Sequence, residues 1–378
     1  MPTAPVNQDG AVLYYEESGV PNGSTDYVTI VLVHGTCFHS GVYRRMIPYA
    51  ADHNLRLVLL NLRGYPGSTP YSTSELDLLE GRSVSHDDTA SPQDMALQAR
   101  GMEVAEFLRW FIKTENIPAV REDPGRGKLV GGLSILSWSG GNAATFAMFA
   151  HADRLPEETK SLFNTYLRSF IMYDPSSTAV GSPPPPGLKT VNVDRSATYE
   201  EQAMQFGLQV GSFYPPFTVS DNLDAAKSHP PRLALQDYGE PFDPTYAPSV
   251  TPPKMTAEEF KSMTHPPIME RLQHANWAAA LQAAHAKNVY RTLCDCTSDD
   301  GSGVRKKVLP AVRMHVVWCD MTCGEAAWAV AVLKRHAFDH AQSPAARVVE
   351  FHPVLEGANH FVQWEEPERF VKVLAGIV

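Results

Sequence analysis

The stretch from Leu133 to Ala150, LSILSWSGGNAATFAMFA, decides the fold. Its first half continues an apolar run of the kind shown by a strand buried on both faces. Its second half, from Gly141 onward, is alanine-rich and reads as a helix. Between them lie Ser137, Trp138, Ser139, Gly140 and Gly141. A serine among glycines at this junction has a physical use. A hydroxyl is a poor nucleophile unless a base removes its proton as it attacks, and it must project from the backbone near donors for the resulting oxyanion. A sharp strand-to-helix turn exposes its middle side chain and points the free N–H groups of the next helix at the reacting atom. Such a turn tolerates only small residues two before and two after the nucleophile. Ser137 and Gly141 meet that condition, with Ser139 between them.

Working outward, AVLYYEESG (11–19), YVTIVLVHG (27–35), LRLVLLNLRG (55–64), KLVGGLSILSWS (128–139), LRSFIMYDP (167–175), AVRMHVVWCD (311–320) and ARVVEFHPVLEG (346–357) read as strands. Residues 95–116, 324–340 and 365–378 carry helical patterns. Strands alternating with helices predict an α/β fold, a mostly parallel sheet with helices on both faces. Ligands of such sheets sit at the carboxyl ends of the strands. Between Ser176 and Leu309 the pattern changes to prolines (GSPPPPGLK, GEPFDPTYAPSVTPPK) and helical segments such as TYEEQAMQFGLQV and IMERLQHANWAAALQAAHAK. Residues 1–175 and 310–378 are therefore expected to form the core, and 176–309 a mostly helical, proline-rich cap that shapes a cleft.

Composition narrows the function. The 378 residues carry a formal net charge of −10, 43% apolar and 20% charged residues, and no long basic run. This argues against nucleic acid or an anionic membrane surface as partner and for a small-molecule substrate. The start lacks a basic segment followed by an apolar core, and YVTIVLVHG is too short to span a bilayer, so a cytoplasmic protein is expected. The five cysteines, Cys37, Cys294, Cys296, Cys319 and Cys323, are odd in number and follow no disulfide framework or zinc spacing. Neither a metal nor an organic cofactor is expected. Nothing in the sequence sets the oligomeric state.

The turn resembles the G-x-S-x-G nucleophile elbow, with Ser137 in place of the first glycine. His34-Gly35 ends an early strand, NLRGYPGST (61–69) follows the next one, and VLEGANHFVQW places Gly357 and His360 before the final helix. In this order the motifs resemble the α/β-hydrolase family over about 10–175 and 305–378, and not over the cap. The resemblance implies Ser139 as nucleophile, His360 as base, and an oxyanion hole formed by Gly140 with Thr36 or Cys37. His34 would brace its loop, as would the arginine and glycines of NLRGYPGST. The acid has two candidates: Asp320, in WCDMT (318–322) where Thr322 holds the family's usual acid position, and Asp174, at the end of the strand after the nucleophile helix. Asp320 is preferred, and Glu325 ranks behind both. Trp138, Phe213, Tyr214 and Phe217 are candidate substrate contacts, with Tyr238, Phe242 and Trp277 as further cap aromatics.

The resemblance implies a serine hydrolase cleaving an ester, lactone or thioester of a small organic molecule. Acyl transfer, cyclisation or C–C cleavage on the same site is the alternative, and a non-catalytic ligand-binding relative a third. A serine at the elbow argues against epoxide hydrolases and dehalogenases of this fold, which carry aspartate there.

Overall fold

A computed structural model describes residues 2–82, 90–125, 127–184, 188, 190–216, 246–272, 275–299 and 303–378. Eight strands build its main sheet: β1 (Thr3–Pro5), β2 (Val12–Glu17), β3 (Val28–Val33), β4 (Leu55–Leu60), β5 (Leu133–Trp138), β6 (Leu167–Tyr173), β7 (Arg313–Val317) and β8 (Val349–Phe351). Their spatial order is β1-β2-β4-β3-β5-β6-β7-β8. β1 and β2 pair antiparallel with their neighbours, and every pair from β4 to β8 is parallel. The fold is thus the α/β class expected from the sequence.

The central strands are apolar on both sides because each side meets its own core. Val31, Val33, Ile135, Phe170, Met172 and Val316 face one cluster. Ile30, Leu32, Leu136, Trp138, Ile171, Tyr173 and Val317 alternate onto the other. This period of two is the pleat expressed in sequence. On the first side packs the long helix Pro92–Glu115, which Ser91 and Asp94 open with a capping box and Asn116 closes at φ 46°. It buries Val104, Phe107, Leu108 and Phe111 at helical spacing. The final helix, Pro367–Ile377, buries Phe370, Val371 and Leu374 on the second side.

Some elements differ from the sequence reading. The run 128–139 is broken: Lys128–Val130 pairs with Arg121–Asp123 in a separate hairpin, and the chain turns at Gly131 and Gly132, both at positive φ, before β5. A Cβ on Gly131 would lie 2.3 Å from the Ala119 carbonyl oxygen, so only glycine fits this turn. The run 346–357 holds only three strand residues. The helices Thr73–Leu79 and Glu157–Tyr166 carried no expectation.

Between β6 and β7 the described insertion is mostly helical, with Tyr199–Val210, Ala257–Met263, Ile268–Leu272 and Ala275–Leu293, and it ends in an antiparallel pair of Thr297–Asp299 with Arg305–Lys307. The first three lie toward the second core, to which Ala203, Val210, Phe260 and Ile268 belong. Ala275–Leu293 instead packs against Asn142–Ala150, the helix after Ser139, and adds Val289 and Leu293 to the first core. No helix among the described residues is long and apolar enough to cross a membrane.

Candidate active site

Three neighbouring parallel strands, β3, β5 and β6, end at one edge, and each hands a residue at positive φ to that edge: Cys37 (71°), Ser139 (52°) and Asp174 (41°). At β5 the strand stops because the backbone must reverse into a 3-10 turn, Ser139–Gly141, that continues as Asn142–Ala150. After Ser139 the turn leaves no room for a side chain at Gly140 or Gly141. A Cβ on Gly141 would lie 2.1 Å from the His34 carbonyl oxygen, and one on Gly140 2.4 Å from Thr36 Oγ1. Ser137, buried where the motif usually has glycine, shares a 2.6 Å hydrogen bond with Thr145 Oγ1. Asn142 clamps the turn by donating from Nδ2 to the Ser139 carbonyl at 2.9 Å.

His360 follows β8. Its Nδ1 lies 2.6 Å from Asp174 Oδ2, and both side chains are buried. The carboxylate is held on its other sides: Thr322 Oγ1 donates to Oδ2, and the Cys319 amide donates to Oδ1 at 3.2 Å. Thr322 Oγ1 also lies 3.3 Å from His360 Nδ1. The imidazole packs on Trp138, with centroids 4.9 Å apart, and the indole N–H donates to the His360 carbonyl at 3.0 Å. With Nδ1 engaged by a carboxylate, the ring's other nitrogen, Nε2, is left to accept a proton.

Asp320, the preferred acid on sequence grounds, is not brought to His360. Its carboxyl lies against the backbone amides of Gly357 and Ala358, and burial pushes its pKa up. Its own segment braces the histidine loop instead: the Asp320 amide donates to the Leu355 carbonyl and the Met321 amide to the Ala358 carbonyl. Glu325 faces the cavity, accepting from the Val191 amide at 3.1 Å and from Ser177 Oγ at 3.4 Å. Burial raises its pKa.

Ser139, Gly140, Thr36 and His360 line one cavity of about 310 Å³. Gly140 opens a helix, where amides lack an intrahelical acceptor, and the Thr36 amide donates to no other described residue. Cys37 differs. Its amide donates to Tyr65 Oη at 3.2 Å, it does not line the cavity, and burial pushes its thiol up to about 12. His34 lies beneath the loop, with Nδ1 on the Gly35 carbonyl at 2.8 Å and Nε2 accepting from the Leu62 amide at 3.0 Å. Burial lowers its pKa to about 3, so it stays neutral.

The expected substrate contacts lie elsewhere. Trp138 is buried beneath the imidazole rather than in the cavity wall. Phe213 packs on Tyr246 and under Lys254 Nζ, and Tyr214 donates from its hydroxyl to the Gln209 carbonyl; neither lines the cavity. Phe217, Tyr238 and Phe242 lie outside the described residues, and the Trp277 side chain is not described. The insertion instead supplies Phe206, Val210, Ile268, Leu281 and His285 to the wall. A charged network forms part of the wall: Arg63 and Arg100 bridge Glu75 and Glu103 over the Tyr71 ring, with four N–O contacts of 2.6–3.0 Å. Sequence reading passed over Arg100 and Glu103. Their signal is two charges three residues apart on the otherwise apolar face of Pro92–Glu115.

A model of the alpha/beta hydrolase family matches residues 30–373. The chain belongs to the α/β-hydrolase family. A laboratory-evolved variant of potato epoxide hydrolase has a similar fold, with 13% identity over 100% of this chain and 98% of the other and a TM-score of 0.52. A carboxylesterase of the ammonia-oxidizing thaumarchaeon Nitrososphaera gargenis is 14% identical over 100% and 97%, with a TM-score of 0.46. An epoxide hydrolase from Vigna radiata is 12% identical over 100% and 96%, with a TM-score of 0.47. At 13% identity the likeness to the potato enzyme is one of fold. No curated protein matches the sequence. As an α/β-hydrolase the chain is an enzyme of small molecules.

Proposed function

We propose that this α/β-hydrolase is a serine hydrolase that cleaves an ester, lactone or thioester of a small organic molecule. The observation that carries the reading is the 2.6 Å contact between His360 Nδ1 and Asp174 Oδ2 beside a cavity that Ser139 also lines. In this reading Ser139 Oγ attacks the carbonyl carbon while His360 Nε2 takes its proton. The imidazolium donates from Nδ1 to Asp174, which fixes the tautomer and stabilises the positive ring. The amides of Thr36 and Gly140 receive the oxyanion; in other enzymes one such donor is worth about 3 kcal/mol. The proton on Nε2 passes to the leaving alcohol or thiol, leaving an acyl group on Ser139. Water, deprotonated by the same nitrogen, then releases the acid. A cavity of about 310 Å³ with mostly apolar walls suits a small, largely neutral substrate.

The test is covalent. A fluorophosphonate probe is expected to label wild-type protein on Ser139, and Ser139→Ala is expected to lose both the label and hydrolysis of p-nitrophenyl esters. Labelling mapped to another residue, or folded wild type that neither labels nor turns over, would overturn the reading.

A further inference from the structure

At the edge of the sheet opposite β1, the three-residue strand β8 pairs in parallel with β7, and the register sets His315 opposite Glu350. His352 follows directly, its amide donating to the Val316 carbonyl at 3.0 Å. The pleat therefore places His315, Glu350 and His352 on one face of the sheet edge. Their donor atoms converge. His315 Nδ1 and His352 Nε2 are 3.0 Å apart, Glu350 Oε2 is 3.3 Å from the first, and Glu350 Oε1 is 4.0 Å from the second. Around a tetrahedral zinc ion with bonds near 2.05 Å, neighbouring ligand atoms sit about 3.3 Å apart. Two of the three separations already lie within a few tenths of an ångström of that value.

We propose that His315, His352 and Glu350 form a binding site for a divalent transition-metal ion of the zinc class, apart from the cavity that holds Ser139. Two imidazoles and a carboxylate are the donor set that such ions take. The surroundings keep the rings ready to coordinate. Burial disfavours the charged form of both rings. In the metal-free pair one nitrogen carries the proton that bridges the 3.0 Å gap. Coordination moves that proton to the far nitrogen of the same ring through solvent and leaves two lone pairs facing the ion, with no change in ring charge.

Access is graded. The His315 side chain is 3% exposed, that of His352 16% and that of Glu350 62%, so an ion enters past the carboxylate and keeps solvent on its open side. Arg313 and Arg168 act electrostatically on His315 and oppose a dication. The site is thus expected to bind less tightly than closed four-ligand zinc sites. Its effect falls on stability, because the ion would fasten the shortest strand of the main sheet's parallel block to β7. The segment following β8 carries Leu355, whose amide donates to the Trp318 carbonyl at 2.9 Å on the way to His360.

The experiment uses chelator-stripped, tag-free full-length protein titrated with Zn²⁺, followed by calorimetry and by the shift in Tm. Wild type is expected to bind one ion with a Zn²⁺-dependent rise in Tm, while Mg²⁺ gives neither. His352→Gln is expected to weaken binding at least tenfold and to abolish the Tm rise, since even changes outside the ligand set commonly cost about 10–100-fold. Glu350→Gln, at the most exposed ligand, is expected to weaken it with the metal-free Tm unchanged, which keeps the test valid if His352→Gln folds poorly. Absence of Zn²⁺ binding to wild type would overturn the proposal. So would binding that survives both variants and disappears in Cys294→Ser, which would assign the ion to the Cys294, His336 and His340 cluster.

Discussion

Replacing each of the two candidate acids by its amide separates the roles of neighbouring strand ends. Asp174 Oδ2 accepts from Thr322 Oγ1 and faces His360 Nδ1, while Oδ1 accepts from the Cys319 amide. In Asp174→Asn only one oxygen remains. If it stays with the Cys319 amide, the NH2 group faces Nδ1 and forces the proton onto Nε2, the atom that must receive the Ser139 proton. If the amide flips, the Cys319 N–H is left against an NH2 group in a buried site. The first arrangement removes the productive tautomer, and the second keeps it only by opposing two N–H groups in a buried site. The same exchange in a serine protease lowers kcat about 10⁴-fold, or ~5.4 kcal/mol of barrier. Asp320→Asn touches no atom of His360, so kcat/KM should stay within about threefold of wild type, ~0.6 kcal/mol. Steady-state hydrolysis of a p-nitrophenyl ester, with urea midpoints to confirm folding, reads both. Asp174→Asn retaining more than a tenth of wild-type kcat, or a folded Asp320→Asn crippled equally, would refute the assignment.

Gly141→Ala should cost about 3 kcal/mol or more in urea unfolding, because its Cβ would lie 2.1 Å from the His34 carbonyl, a backbone atom that cannot swing away. Burial holds His34 at a pKa of about 3 and His39, His151, His285 and His315 at about 4. The unfolded chain titrates them near 6.5, so below that pH it binds more protons than the native state, and the urea midpoint should fall steadily from pH 7 to pH 5. Glu325 runs the other way: its folded pKa is raised, so stability is lost as pH climbs from about 4.3 through that value. Glu325→Gln, which retains acceptor and donor for the Val191 amide and Ser177, should be more stable than wild type at pH 7 and equal to it near pH 3.

Much of the architecture was legible because buried parallel strands are locally distinctive. VTIVLV and LSILSW needed no partner to be recognised, and the serine turn follows from small residues at fixed offsets. Choosing the acid required something no single segment carries. β6 and β7 are adjacent, and their register pairs Tyr173 with Val317, so the chain just beyond each strand meets the other. Asp174 and Cys319 touch although 145 positions separate them. Thr322, at the position the family pattern assigns to the acid, does reach the imidazole, but brings a hydroxyl and passes its hydrogen bond to the carboxylate from next door. Similarly, Arg63 read as a loop brace because its partners Glu75 and Glu103 lie on two separate helices. The metal-type cluster at His315 was silent for the same reason: opposite positions in a parallel pair have no fixed sequence spacing.

Backbone strain at the site argues that the arrangement is held for chemistry and not for stability. Six described residues other than glycine have positive φ. Asn54 and Asn116 end helices, where asparagine tolerates that conformation, and Leu309 lies in a bend before β7, away from the cavity. Cys37, Ser139 and Asp174 have no such excuse, and each costs about 1–3 kcal/mol relative to a relaxed backbone. All three follow the ends of the neighbouring strands β3, β5 and β6, and each departure turns a particular group. At Cys37 it sends the amide to Tyr65 and leaves that of Thr36 without a described acceptor. At Ser139 it lifts the hydroxyl out of the strand's plane into the cavity wall. At Asp174 it lets the amide still close the sheet on the Val317 carbonyl while the carboxylate turns to His360. Relaxing any one to extended backbone would withdraw the donor, the nucleophile or the acid that the proposed mechanism needs. The rigid, doubly packed sheet behind them is what makes the strain sustainable.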